Sequence, residues 1–309
     1  MPSKIKIKVV GAGGSGCNAI SRMASEKLFG VDLIAINTDA QDLKRKKAHL
    51  KLRIGRKLTQ GLGTGMNPDL GRRAALEQKE EILEILGGSD IVFITTGLGG
   101  GTGTGASPVI AEISKDLNAL TIGVVTTPFS FEGRARAKIA KRGIERLKEK
   151  VDSLIIIPND NLLKFLSPKT SLSKAFWICD EVLQQAVKGI SDLITLPGIV
   201  NVDFADVKSV IENAGTAFFG IGKARGENRA QEAAKLALNS PLLNVSISQA
   251  KGILFNISGG PDISLYEIDE SAKIITKNAS PETKVIFGAI QDEELKKGEI
   301  KVTVIATGF

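Results

Sequence analysis

The stretch GLGGGTGTGAS, Gly97 to Ser107, decides how this chain is read. Six of its first nine residues are glycine, and its only other polar side chains are threonine and serine hydroxyls. It follows DIVFITT (Asp90–Thr96), a strand pattern, and leads into SPVIAEISKDL (Ser107–Leu117), a helix pattern. Glycine loses more conformational entropy on ordering than any other residue, so an ordered glycine run implies that something comes close to its backbone. No lysine accompanies it.

Working outward, strands and helices alternate. IKIKVV, VDLIAINT, LKLRI, DIVFITT, LTIGVVTTPF and DSLIIIPN read as strands. SGCNAISRMASEKL, AQDLKRK, PDLGRRAALEQKEEILEILGG, ASPVIAEISKDLN and EGRARAKIAKRGIERLKEKV read as helices, with Gly87-Gly88 stopping the third. This alternation predicts an α/β fold with a doubly wound, mostly parallel sheet. Ligands of such sheets bind outside the carboxyl ends of the strands. Three glycine-rich loops fall there: GAGGSG, LTQGLGTGMNP and the opening stretch. A long helix follows, from about Ser171 to Leu196, with an apolar stripe that includes Leu172, Phe176, Cys179, Leu183, Val187 and Ile190. Ser171 is its expected N-cap and Pro197-Gly198 its stop. Beyond it, a second, smaller α/β unit with a mixed sheet is expected, with PNDN and the other short polar stretches left as loops.

The 309 residues, 42% of them hydrophobic, are enough for one large or two medium domains with a true core. No apolar run approaches the roughly 18 residues of a membrane span. MPSKIKIKVV runs straight into a strand pattern, without a signal peptide. Cys17 and Cys179, far apart in sequence, suit free thiols in a reducing cytoplasm. A single histidine, His49, excludes a multi-histidine metal site. Net charge is +7, and Lys44–Lys57 carries eight basic residues. That run reads either as a patch for nucleic acid or as a solvated face. The absence of interleaved aromatic residues favours the solvated face, with no nucleic-acid partner.

Glycine-rich loops that open helices are anion sites, because backbone amides and the helix dipole both face the ligand. Several on one edge argue for a polyphosphate. Neither loop ends in Gly-Lys-Ser/Thr, which excludes a P-loop NTPase. Gly11, Gly13 and Gly16 do satisfy G-x-G-x-x-G, with Asp39 past the next strand, so an NAD(P)-dependent oxidoreductase is a second reading. A second, longer glycine loop is foreign to it.

GGGTGTG (Gly99–Gly105) resembles the signature of the tubulin/FtsZ superfamily. NTDAQ, the NP of the third loop, PFSFEGRAR, PNDN and NVDFADV resemble further family stretches, in order. NVDFADV and the modest chain length are similar to the FtsZ family, the prokaryotic cell-division GTPases, and the resemblance covers nearly the whole chain. It implies a GTP-binding domain at 1–170, a connecting helix at 171–197 and a C-terminal domain at 198–309. It implies GTP and GDP as ligands, Mg²⁺ held mainly through phosphates and water, and K⁺ as a candidate second cation. Gly13, Gly14, Ser15, Gly16, Cys17 and Asn18, with Gly101, Thr102, Gly103 and Thr104, match loops that wrap the phosphates. Thr64 and Gly65 lie in the loop matching the one beside the γ-phosphate, where this chain has Thr-Gly-Met-Asn instead of the commoner Ala-Gly-Ala-Asn. Glu132, Arg136 and Asn159 match ribose and phosphate contacts. The residues alone read equally as an i,i+4 ion pair and as turn chemistry. Phe176 and Asp180 match a ring stacked on guanine and an acid on its edge. A carboxylate accepts from guanine N1–H and N2–H together, whereas adenine leaves the charge unpaired. By spacing alone, Phe176 is core.

Asn201, Asp203 and Asp206 match the family's synergy loop. Read alone, the two acids are helix-capping residues. Some twenty helical residues separate Asp180 from Asn201, roughly 30 Å. One nucleotide served by both therefore implies two molecules stacked head to tail, a contact that propagates into a filament. The expected partners are further copies of the chain, membrane adaptors and division proteins, with no direct membrane insertion. The expected place is the cytoplasm at the division site. The chain stops at the strand TVIATGF, where family members usually continue to an adaptor-gripping tail.

Overall fold

The computed structural model describes residues 5–25, 28, 30–163, 166–167, 169–196, 198–240, 247–277 and 279–309. The chain divides into two compact units, Met1–Lys188 and Gly189–Phe309.

In the first unit the elements run β1 (Ile7–Ala12), α1 (Gly13–Met23), β2 (Val31–Asn37), α2 (Ala40–Arg45), β3 (Leu50–Arg53), α3 (Pro68–Glu77), α4 (Lys79–Leu86), β4 (Ile91–Gly97), α5 (Thr102–Asp116), β5 (Leu120–Thr127), α6 (Arg134–Lys148), β6 (Ser153–Pro158), α7 (Asn159–Leu163) and the start of α8 (Leu172–Thr195). Its strands are ordered β3-β2-β1-β4-β5-β6 and pair in parallel. Val10 lies opposite Ile34 on one side and Ile94 on the other. All three are fully buried, as befits a sheet covered on both faces. The chain winds outward from β1 to β3, then crosses back to β4 and winds the other way. The carboxyl ends of β1 and β4 therefore flank the switch point, where such sheets bind ligands.

In the second unit the elements are α9 (Phe204–Ile211), β7 (Gly215–Arg225), α10 (Arg229–Leu238), β8 (Gly252–Gly259), α11 (Leu265–Thr276), β9 (Lys284–Gln291) and β10 (Glu299–Thr307). The order β7-β10-β8-β9 is mixed: β10 is antiparallel to both neighbours, and β8 and β9 are parallel. The apolar face of α10 is made of Ala230, Ala233, Ala234 and Ala237 and lies against β7. A Cβ on Gly222 would sit 2.6 Å from the Ala237 amide nitrogen, so small residues on both sides set this close packing.

Several boundaries differ from the sequence reading. The expected helix from Pro68 onward is two, broken at Gln78 (φ −109°, ψ 27°). The Gln78 side chain is buried and accepts the Gly55 amide hydrogen, a tertiary bond that no local pattern signals. The helix expected from Glu132 starts only at Arg134, because Gly133 takes φ 97° and leaves Ser130–Glu132 as a separate 3-10 turn. PNDN is no loop, since α7 begins at Asn159. α5 begins inside the glycine signature, at Thr102. In α8 the Ser171 hydroxyl accepts the Lys174 amide hydrogen at 3.3 Å, the geometry of an N-cap. The expected stop at Pro197, and Glu26 and Lys27 within the first expected helix, lie outside the described residues.

α3 and α5 pack through glycine. A Cβ on Gly105 would sit 2.6 Å from the Arg72 amide nitrogen and closer still to the Pro68 carbonyl. Gly105→Ala is expected to destabilise the protein by about 1–3 kcal/mol, the usual cost of overpacking. Denaturant melts of the two proteins check this, and unchanged stability would show that the helices can separate freely.

Candidate functional site

The sheet reversal places the start of α1, after β1, beside the start of α5, after β4. Both helix ends present amides that have no partner within their helix. The glycines let the loops interlock. A Cβ on Gly101 would sit 2.6 Å from the Asn67 nitrogen, one on Gly103 2.9 Å from the Ala12 carbonyl oxygen, and one on Gly13 (φ 71°) 2.8 Å from the Gly103 nitrogen. What comes close to most of the glycine run is therefore the neighbouring strands, helices and third loop. Gly100 is the exception within the signature: a Cβ there meets nothing within 4 Å, and the residue borders open space.

Hydroxyls pin this frame. Thr102 Oγ1 lies 2.7 Å from Thr38 Oγ1 and 3.2 Å from Thr64 Oγ1, joining three loops at the first residue of α5. Thr96 Oγ1 donates to the Ala12 carbonyl at 2.9 Å, and Thr104 Oγ1 accepts the Gly99 amide hydrogen at 3.0 Å.

The frame forms the floor of a cleft of about 490 Å³, within the usual range for a small-molecule site. Gly13, Gly14, Ser15 and Asn18 line it from α1, and Gly101, Thr102 and Gly103 line it from α5. Thr64 and Met66 border it from the third loop; Glu132, Arg136, Asn159, Phe176 and Asp180 complete it. Gly16, Cys17, Gly65 and Thr104 do not line it. A Cβ on Gly16 would collide with the Thr95 carbonyl, so Gly16 is a packing glycine. Cys17 is fully buried, and its thiol faces the Gly11 and Ile36 carbonyls at 3.4 and 3.5 Å. Burial, then the nearby Asp42 charge, push that thiol up to about 12, so it is a protonated core group. Met66 takes φ 63°, a left-handed conformation uncommon outside glycine.

The rim is polar and partly unsatisfied. Glu132 accepts the Phe129 amide hydrogen at 2.9 Å and also pairs with Arg136, so the ion pair legible in the spacing is present and faces the cleft. Asn159 is buried, and its Oδ1 has no hydrogen-bond partner among the described residues, a group for a ligand to satisfy. Phe176 leaves the buried stripe assigned by spacing: it is 38% exposed and meets the buried Phe129 edge-on, with ring centroids 5.4 Å apart. Asp180 is 5% exposed, and burial pushes its carboxyl up to about 6 against the opposing pull of Arg22, whose Nε donates to Oδ2 at 3.2 Å. Arg22 is the residue that sequence reasoning missed. It sits 158 positions from its partner, and no periodic signal links the two.

A half-exposed aromatic ring, a buried carboxylate, the Glu132–Arg136 pair, Asn159 and two amide-rich helix ends line one cleft. Residues 6–167 match the model of the Tubulin/FtsZ family, GTPase domain, and residues 215–309 that of the FtsZ family, C-terminal domain. A solved structure described as an empty FtsZ dimer from M. jannaschii is 50% identical, with TM-score 0.95, over 99% of this chain and 89% of that one. The chain belongs to the FtsZ family. Two more distant structures share the fold. A GTPγS-bound protofilament of CetZ2 from Haloferax volcanii is 22% identical with TM-score 0.82, over 98% of this chain and 92% of that one. A GDP-bound monomer of CetZ1 from the same organism is 20% identical with TM-score 0.84, over 99% and 94%.

As an FtsZ-family GTPase, the chain binds GTP and GDP in its first unit. The dinucleotide reading gives way. Asp39, the acid it needed, caps α2 by accepting the Asp42 amide hydrogen at 2.9 Å. Among the described residues no group of three or more His, Cys, Asp or Glu could hold a metal ion. Hydroxyls and amides at the phosphate end suit a Mg²⁺ bound through nucleotide oxygens and water. None of the described helices is long and apolar enough to cross a membrane. The basic run lies on α2, β3 and the turns around them. Lys46 pairs with Asp42 and Arg56 with Glu81, and β3 is the sheet edge that such charges keep from pairing with other strands.

The second unit holds the other predicted residues. Asp203 is the N-cap of α9 and accepts the Asp206 amide hydrogen at 2.8 Å, so the capping reading describes its present state. Asn201 Oδ1 accepts the Gly198 amide hydrogen at 2.7 Å. The half-buried Asp206 carboxylate has no hydrogen bond or ion pair among the described residues.

The Asp180 carboxyl of the nucleotide-free protein is expected to titrate with a midpoint near pH 6, readable by carbon NMR. Its folded value lies above the unfolded one. Its contribution to stability is therefore fully present below the ordinary aspartate value and is lost as pH rises through about 6. A midpoint near the ordinary value of 3.8 would show that water reaches the carboxylate.

Proposed function

We propose that this chain is a self-assembling cytoskeletal GTPase that polymerises head to tail, forms the division ring in the cytoplasm and hydrolyses GTP between neighbouring copies. The observation that carries the proposal is an asymmetry of acids. The carboxylates lining the cleft are Asp180 and Glu132, one held by Arg22 and the other by Arg136. Neither is free to activate water at the phosphate end. The Asp206 carboxylate, by contrast, lies in the second unit without a partner among the described residues.

In this reading guanine stacks on Phe176 and gives its N1–H and N2–H to Asp180, while Asn159, Glu132 and Arg136 meet the ribose and the neighbouring phosphate. The amides of Gly13–Asn18 and Gly101–Thr104 surround the phosphates, and Thr64 and Gly65 approach the γ-phosphate. Bound Mg²⁺ supplies charge neutralisation there. Asn201, Asp203 and Asp206 of the next copy orient a water for in-line attack on the γ-phosphorus. The bond from that phosphorus to the β,γ-bridging oxygen breaks, and GDP and phosphate leave. The M. jannaschii relative is described as a dimer and the CetZ2 relative as a protofilament, which supports self-association here. Domains at 1–170 and 198–309, joined by a helix at 171–197, and membrane adaptors as partners belong to the same proposal.

GTPase activity per molecule is expected to rise above a threshold protein concentration at which GTP, but not GDP or ATP, makes the protein sediment. Constant activity per molecule on dilution would overturn the shared site. Asp206→Ala is expected to bind GTP as the wild type does and to lose hydrolysis by about 10²-fold or more, the usual loss of an acid–base group. Lost binding would instead place this acid in its own subunit's cleft.

A further inference from the structure

Asp180 must stay charged to read guanine, yet it is buried. The acidic and basic groups around it are few: Arg22 on α1, Lys46 just after α2, the Cys179 thiol on its own helix, and Glu132, whose charge reaches Cys179. Of these, only Arg22 bonds to the carboxylate, through Nε to Oδ2 at 3.2 Å. Arg22 does not line the cleft, whereas Asp180 does. The guanidinium therefore approaches from behind and leaves the other carboxylate oxygen to the ligand. The guanidinium carbon lies 5.1 Å from the ring centroid of Trp177, which carries the Lys174 ammonium 3.4 Å from the same centroid. An indole face attracts a cation and limits where it can swing. Trp177 is also the chain's only tryptophan, so its emission reports on this corner alone.

We propose that Arg22 is a positioning residue for guanine recognition, stacked on Trp177 and clamping the Asp180 carboxylate from outside the cleft so that its free edge faces the base. The proposal rests on Asp180 reading guanine. The clamp has a chemical consequence. Burial favours the neutral acid, and the hydrogen bond and charge of Arg22 oppose it, so the arginine keeps the carboxylate an acceptor near neutral pH. A protonated Asp180 would offer guanine one acceptor fewer and a donor where none is wanted. Lys46 adds only its more distant charge. Fixing the carboxylate geometry in advance also removes an ordering cost from binding.

The test measures GDP and ADP affinity between pH 5.5 and 8.5 for wild type, Arg22→Gln, Arg22→Lys and Asp180→Ala, with Trp177 emission followed across the same range without nucleotide. An opposite charge at this distance moves a carboxylate by one unit or more. Arg22→Gln should therefore bind GDP about five-fold more weakly than wild type at pH 6 and within about two-fold at pH 8.5. Arg22→Lys keeps the charge and should restore most of the affinity at pH 6. Nucleotide phosphates titrate equally in all four proteins and cancel in the comparison. Wild-type Trp177 emission should change with a midpoint near pH 6, and that midpoint should move upward in Arg22→Gln. GDP profiles that superimpose for wild type and Arg22→Gln, while Asp180→Ala loses its preference for GDP over ADP, overturn the role of Arg22 alone. An undiminished GDP preference in Asp180→Ala overturns the guanine reading beneath it. If Arg22→Gln does not fold, wild-type Trp177 emission that stays flat from pH 5.5 to 8.5 still overturns the clamp.

Discussion

Everything at the cleft depends on two backbones touching where no side chain can stand. A Cβ on Gly13 would press on the Gly103 amide, and one on Gly103 would press on Thr96 and the Ala12 carbonyl, so neither position admits a side chain where α1 and α5 begin. That contact converts a topological fact, the reversal of winding between β1 and β4, into an electrostatic one. Two helix ends with free amides converge on one small volume, and their partial positive charges add. No lysine is needed because the positive field comes from the backbone itself. The threonine cluster around Thr102 secures the same contact with neutral groups, so it adds no charge for a phosphate to compete with.

The opposite end of the cleft works by the reverse logic. On the proposed reading the group there is an uncharged base, and the protein supplies the charge, at Asp180, in a place where burial disfavours it. A buried carboxylate without a partner would take up a proton, so on the proposed reading Arg22 and Trp177 belong to the site although neither lines it. One nucleotide would then be held by dipoles at its charged end and by a charge at its dipolar end.

The sheet, the long helix and the second unit were legible because each rests on a local pattern repeated many times. The glycine loops were legible as the lining of a cleft, although most of those glycines serve close packing against neighbouring elements. Where the reading failed, the deciding group lay far away in sequence. Gln78 breaks a helix because Gly55 offers it an amide, and Gly133 separates the turn holding Glu132 from α6. Phe176 follows the helical period of its buried neighbours, yet it lies above an open cleft, and periodicity cannot tell a core from a cavity. Arg22 looks like any polar residue late in a helix until the fold brings α8 beside it. For Asp203, residue chemistry alone gave a cap, and a cap is what this structure contains. The further role proposed for it depends on a second molecule.

The interlocked glycines also limit how such a protein can change. A substitution at Gly101, Gly103 or Gly105 must move a neighbouring loop, strand end or helix before it can alter anything else. If these loops hold the polyphosphate as proposed, affinity for it and the integrity of the fold are one property and cannot be adjusted separately. Gly100, Met66, Asn159 and Phe176 carry no such obligation, since each borders open space or has an unused bonding group. The frame and the rim are thus separate design variables. Redesign toward another base or a slower exchange rate has room along the rim and almost none in the frame.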